Sequence, residues 1–404
     1  MTAGANSLPR SGVVSLPFLV LARLCTSAIF MTYPACLSVL LLAWEMSATQ
    51  AGIVQSAFTA GFAISLLVAS FLCDRVGAKR VFNASTFLSA VTALLFAAFA
   101  RSYESALVFV ALVGLTQGGT YTPAIMLVSA NTVQARKAAA VGWVLAGMSA
   151  GYVISIFLSQ TMIALAGYQA AFWLTASITV LGWVFGYLAV SNAEDSLPTV
   201  TGNPEHFGGT MKHRSRLLLL GYIGHSWELL GAWAWVPAFL AAALLSSGAM
   251  SPIELGLWTA LALHLSGFFA SVLSGYAADR FGAPNVLVAF AMVGALCSAA
   301  IGWMGDVSAP LLLLVAAVYG FVIIGDSSVL SSAMTDAVPA QYLGRVLGLR
   351  SVLGIGAGAV SPAVFGIAFD AAPVGATWGY GFSTLAVGGV LAFVCAALLR
   401  RAYR

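Results

Sequence analysis

The stretch Ser70-Phe71-Leu72-Cys73-Asp74-Arg75-Val76-Gly77-Ala78-Lys79-Arg80 closes a long apolar run, and Asp279-Arg280-Phe281-Gly282, at the end of a segment starting with Gly275, closes another. From Asp74 to Asp279 the offset is 205 residues. A second marker repeats at nearly the same distance: Val141-Gly142 opens one apolar run and Leu347-Gly348 another, with 206 residues from Gly142 to Gly348. Two independent markers that agree to within one residue describe a duplicated unit.

Working outward from these turns, apolar runs of about twenty residues separated by polar clusters give about twelve membrane spans, with cores near 14–42, 51–72, 81–100, 105–130, 139–165, 169–190, 217–245, 253–277, 286–304, 309–333, 343–369 and 376–399. The composition agrees. Of 404 residues 61% are hydrophobic and 7% charged, and the mean hydropathy is +0.97. A soluble domain carries about 25% charged residues, so lipid must be the solvent for most of this surface. Continuous runs, rather than short alternating segments, mean helices and not an outer-membrane barrel. A net charge of +4 spread over short loops makes no nucleic-acid surface. The fold class expected is therefore an all-α polytopic membrane protein: twelve transmembrane helices in two pseudo-symmetric six-helix bundles, residues 1–190 and 217–404, joined by a polar loop, 191–216.

The basic residues set the orientation. With the N-terminus inside, Arg10, Arg75, Lys79, Arg80, Arg136, Lys137, Lys212, Arg214, Arg216, Arg280, Arg345, Arg400, Arg401 and Arg404 fall on the cytoplasmic side and Arg101 alone on the other. Both termini are expected in the cytoplasm, with the chain crossing the cell (inner) membrane many times. The first span is read as a retained helix, not a signal peptide. The five cysteines have no Cys-x-x-Cys spacing, so neither a disulfide framework nor a metal site is expected. No nucleophile elbow or phosphate loop is present; catalysis, cofactors and ATP-driven transport have no support.

At these motifs the chain resembles the major facilitator superfamily of bacterial-type secondary transporters, over essentially its whole length. The family's loop between helices 2 and 3 is Gly-x-x-x-Asp-Arg-x-Gly-Arg-Lys-Arg; here Ser70 stands for the Gly and Ala78 for the first basic residue, and the second copy loses its basic tail at Ala283-Pro284. The resemblance implies alternating access by a monomer in the bilayer. It also implies a conformational switch at Asp74, Arg75, Gly77, Asp279, Arg280 and Gly282, with the Asp74 carboxylate meeting the N-terminal end of the eleventh helix in one state. Drug exporters of the family carry Arg-x-x-Gln-Gly in helix 4, where this chain has Gly114 ahead of Gln117-Gly118. They carry a Gly-Pro signature in helix 5, where Gly142, Gly147 and Gly151 occur without proline.

Six ionisable residues fall inside spans: Arg23, His225, Glu228, His264, Asp326 and Arg350. Each charge there costs about 2.5–3.5 kcal/mol on insertion scales, so such groups line a cavity or pair with each other. Arg23 is about nine residues, roughly 14 Å, into its span, and Glu228 matches it at the symmetry offset. The expectation is either an anion clamp or an Arg23–Glu228 ion pair. His225 and Glu228 stand at i and i+3, either a proton-coupling couple or a structural one. Asp326, the counterpart of Tyr121, is either a further proton carrier or the neutralising partner of Arg350. Arg350 either binds substrate or snorkels, and His264 is either a ligand group or a helix-to-helix bond. Trp227, with Trp233 and Trp235, offers a surface for a flat solute or belongs to the interfacial belt. Gly147/Gly151 and Gly354/Gly358 are small-residue pairs in symmetry-related helices.

The expected substrate-binding residues are thus Arg23, Tyr121, Trp227, His264 and Arg350, and the proton-coupling residues His225, Glu228 and Asp326. They suit a transporter moving a small anionic or carboxylate-bearing solute with protons. The alternatives are a proton-driven exporter of amphipathic drugs or metabolites, and a transporter-like membrane sensor.

Overall fold

A computed structural model describes residues 14–132, 134–193, 209–246, 248 and 250–403. Among these residues there are helices and short turns but no strand. The helices are α1 (Leu16–Ser27), α2 (Thr32–Ala43), α3 (Ala48–Val76), α4 (Ala78–Phe99), α5 (Tyr103–Ala130), α6 (Gln134–Ala166), α7 (Tyr168–Val190), α8 (Gly209–Ser246), α9 (Pro252–Ala260), α10 (Ser266–Phe281), α11 (Ala283–Ile301), α12 (Ala309–Ala337), α13 (Ala340–Ala371) and α14 (Thr377–Ala402). A π-helical turn, Leu261–Leu265, joins α9 to α10. Among the described residues, eleven segments, with α1 and α2 counted together and α9 running through to α10, are long and apolar enough to cross a membrane. The 28-residue α5 supplies the twelfth length. Its second half, Thr116-Gln117-Gly118-Gly119-Thr120-Tyr121-Thr122, is too polar for hydropathy alone to select it. Leu42, Phe71, Leu165, Leu296 and Val387 stand exposed on outer faces, where lipid replaces water.

The first span is broken by Pro34, which has no N–H for the Phe30 carbonyl and whose ring crowds it. The chain therefore turns at 28–31 and restarts with Pro34 in the first turn of α2. Pro237 stands inside α8, and the residue four before it is Trp233. The Phe30 and Trp233 rings meet edge to face at 6.2 Å, so both prolines place an aromatic ring at the same interface.

Gly77 and Gly282 end α3 and α10 at φ +93° and +83°, a left-handed conformation that glycine adopts without strain. Each therefore permits a one-residue turn into α4 and α11. Lys79 donates to the carbonyls of Ser191 and Ala193 at the end of α7. The helix α8 begins at Gly209, so the last residues expected in the central loop are helical. Arg214 fixes this end by lying 3.9 Å over the Tyr403 ring and donating to the Ala402 carbonyl. Most of that loop, 194–208, lies outside the described residues.

Close packing uses the two glycine pairs. A Cβ on Gly147 would lie 2.7 Å from the Val20 carbonyl oxygen, and one on Gly151 would meet that of Leu24, so α6 lies backbone-close on α1. A Cβ on Gly358 would lie 2.5 Å from the Ser226 carbonyl oxygen, and one on Gly354 would strike the Tyr222 ring, so α13 lies likewise on α8. The same contact thus occurs twice, at the symmetry-related helices.

Helices α3 and α13 cross with the start of one against the end of the other. Gly52 meets the Pro362 carbonyl and Gly366 that of Ala48, while Asp370 accepts from the backbone N–H groups of Ala48 (3.1 Å) and Thr49 (2.8 Å). Ser56 accepts from the N–H of Ala363. The carboxylate of Asp370 is thus a cap supplied to α3 by α13. Toward the opposite ends of the same helices, Asp74 and Arg75 are exposed, Leu349 is 50% exposed, and Gly348 has nothing within 4 Å of where a Cβ would stand. The α3–α13 crossing is thus closed at the end carrying Ser47 and Asp370.

Candidate functional site

Arg23 lies in α1, 3% exposed. It donates to Thr120 Oγ1 at 2.5 Å, and Thr120 passes its own proton to the Gln117 carbonyl. Gln117 in turn donates to the Thr26 carbonyl and to Ser89. The polar half of α5 is thereby pinned across α1. Tyr121 presents its ring 5.8 Å from the Arg23 guanidinium carbon, and Arg23 lies within electrostatic reach of the Tyr121 and Tyr152 hydroxyls.

Arg350 lies in α13, 7% exposed, so it does not snorkel. It donates to Ser331 Oγ at 2.8 Å and stacks 3.9 Å over the Tyr222 ring of α8. The open backbone at Gly354 admits that ring. The Tyr121 hydroxyl lies within electrostatic reach of Arg23, Arg350 and Tyr222 together. Each guanidinium is thus backed by a hydroxyl and a tyrosine.

No carboxylate stands within ion-pair distance of either arginine among the described residues. The Arg23–Glu228 pair is not formed: Glu228 accepts from Ser298 Oγ at 2.6 Å, and Ser298 shares a 2.5 Å bond with the Tyr319 hydroxyl. Ser298 has one proton and gives it to Glu228, so Tyr319 must be the donor to Ser298. Gly294 and Gly389 lie against the same carboxylate, which is sealed between α8, α11 and α14. Nor does Asp326 neutralise Arg350. Its Oδ1 lies 2.8 Å from His225 Nδ1, while His225 Nε2 lies 2.7 Å from Ser327 Oγ. His225 and Glu228, expected to act together, point to different neighbours because residues at i and i+3 straddle the seam between two packing partners.

Trp227 is a second correction. Its Nε1 donates to the Thr384 carbonyl and its ring covers Gly388, so it packs toward α14. Trp233 takes the place expected of it. Trp233, Tyr152 and His264 stand with ring centroids 5.4–5.5 Å apart, and Phe30 lies 4.9 Å from Tyr152. These four rings come from both halves of the chain and form a floor toward the closed end. His264 occupies the π-helical turn, a distortion that recurs at functional sites. Neither His264 Nε2 nor Trp233 Nε1 has a hydrogen-bond partner among the described residues.

Sequence reasoning did not select Tyr222, Tyr152, Thr120 or Ser331, and it weighed Trp233 only beside Trp227. The Pro237 spacing would have singled out Trp233, and the Gly354/Gly358 pair pointed to whichever ring fills the gap. Of the switch residues, Asp74, Arg75, Asp279 and Arg280 are exposed, and Arg280 lies 5.5 Å from the Phe281 ring. The side chains at 340–345, where Asp74 was expected to dock, lie outside the described residues. No cluster of three or more metal-ligating side chains occurs among the described residues, and all five cysteines are free thiols.

A model of the family described as Major Facilitator Superfamily matches residues 19–353. The "Probable anion transporter 3, chloroplastic" of Arabidopsis thaliana is 32% identical over 162 residues, 40% of this chain but only 31% of that protein's length. The 4-hydroxybenzoate transporter PcaK of Pseudomonas aeruginosa is 26% identical over 350 residues, 78% of this chain and 76% of the relative. A crystal structure of a POT family transporter in complex with thioalcohol conjugated peptide superimposes with a TM-score of 0.78 at 12% identity, covering 96% of each chain, a likeness of fold.

Proposed function

Since the chain belongs to the Major Facilitator Superfamily, a family of multi-pass membrane transporters, we propose that it moves a small organic anion by alternating access, coupled to protons. The observation that carries this reading is the pair of buried arginines. Each is held by one hydroxyl and one tyrosine, with no carboxylate partner among the described residues. An uncompensated guanidinium in a low-dielectric cavity attracts an anion, and its planar fork suits a carboxylate. The names of the anion and 4-hydroxybenzoate transporters point the same way.

Proton coupling is assigned to His225 and Asp326. A carboxylate and an imidazole in contact can take up one proton between them without creating an isolated buried charge. The pair reaches the arginine site through Tyr222, whose ring lies 5.6 Å from that of His225 and directly beneath Arg350. Glu228 is removed from this role and kept as a structural hydrogen-bond acceptor. We place the termini on the cytoplasmic side of the inner membrane, which puts the Asp370 closure of α3 and α13 on the opposite side.

The test is uptake into proteoliposomes of a panel of organic and inorganic anions, with and without an imposed pH gradient. Accumulation of an anion that collapses with the gradient and is lost in Arg23→Gln supports the reading. Movement of lipophilic cations with no anion uptake would favour an exporter of amphipathic compounds.

A further inference from the structure

The charges inside the membrane do not balance once each is given the partner the structure shows. Four charged side chains, Arg23, Glu228, Asp326 and Arg350, are even in sign as a list. Asp326, however, is committed to His225 at 2.8 Å, and Glu228 is enclosed with Ser298 on the far side of α8. Neither carboxylate is within ion-pair distance of a guanidinium. The space between Arg23 and Arg350 is therefore bordered by two positive charges, one from each half of the chain, with no negative charge among the described residues to offset them.

The donors are also unspent. A guanidinium offers five N–H groups. Arg23 commits one to Thr120 and Arg350 one to Ser331. The remaining edges are available for bidentate contacts, and Tyr121, whose ring lies 5.8 Å from the Arg23 guanidinium carbon, interacts electrostatically with both arginines.

We propose, resting on the anion-transporter reading above, that the solute is a compact dianion, a dicarboxylate or a phosphate-like group, with one negative charge taken by Arg23 and the other by Arg350. A monoanion would leave one guanidinium uncompensated whenever the cavity closes over it. A dianion neutralises both and links the two halves directly. Binding is then itself an interaction that draws the halves together, because each half supplies one of the two cations.

The experiment compares probes of equal length and different charge on the purified full chain. Isothermal titration with succinate and with butyrate, and with inorganic phosphate at pH 8 against chloride, gives the affinity ratio directly. The expected result is succinate binding at least about tenfold tighter than butyrate. Arg350→Gln should lower succinate affinity about tenfold more than it lowers butyrate affinity, and Arg350→Lys should restore part of the preference. Preference for phosphate over chloride without succinate binding also supports the proposal, since the dianionic charge is common to both. Measurable and equal binding of succinate and butyrate overturns it while leaving an anion transporter standing. Failure of every anion overturns both. Should Arg350→Gln not fold, the wild-type succinate-to-butyrate ratio alone decides.

Discussion

At the scale of single residues, the environment of a buried ionisable group decides its role more firmly than its spacing does. His225 and Glu228 are three apart in sequence, yet one meets a carboxylate and a serine hydroxyl and the other a serine linked to tyrosine. A one-unit pH gradient supports about tenfold accumulation per coupled proton, equivalent to 1.36 kcal/mol. His225→Gln and Asp326→Asn are expected to abolish that accumulation in proteoliposomes while solute exchange across equal pH continues. Glu228→Gln is expected to keep the accumulation and to lower the melting temperature, because it weakens the Ser298–Tyr319 chain. The reverse pattern would transfer the coupling role to Glu228. The identities of the buried charges were legible in the sequence because each violates an apolar background. Their partners were not, since α8 packs on both flanks and its pattern has no solvent-facing side from which to read direction. The same ambiguity misplaced Trp227.

At the scale of elements, the glycine pairs were legible in full, including which helices carry them. What the sequence withheld was the helix opposite each pair, because a small residue announces a close approach without naming the neighbour. The backbone of α1 fills one gap, and the Tyr222 ring with the backbone of α8 fills the other. Gly151→Leu should separate α6 from α1 and cost about 1–3 kcal/mol by overpacking, read as a drop in the thermal midpoint of the detergent-solubilised protein. Gly354→Val should displace Tyr222 from beneath Arg350. Its signature is a loss of anion affinity that exceeds the loss of thermal stability, which a purely structural defect would not give. The break between α1 and α2 follows from Pro34, whereas Pro237 leaves α8 continuous, so proline alone does not fix a break.

At the scale of the whole molecule, the duplicated turns gave the fold, and the closed end sets the state in which it is seen. Asp370 caps the first two N–H groups of α3 only while α13 lies against them. A cap of this kind is worth about 1 kcal/mol, roughly a fivefold change in population. Asp370→Asn should therefore raise the fraction open at this end by roughly that factor, measured as faster thiol labelling of a cysteine introduced at Thr49. An unchanged labelling rate would assign the closure to the Gly52 and Gly366 contacts instead.

The aromatic floor has an electrical consequence. Phe30, Tyr152, Trp233 and His264 pack together on one side of the arginines. If water enters from the opposite side, the insulating path shortens and the membrane voltage falls across the floor rather than across the full bilayer. A charge crossing the entire potential gains or loses about 2.3 kcal/mol per 100 mV. A solute that bound the two arginines from that side would have crossed little of that field, and nearly all of the electrical work would be deferred to the step in which the rings part.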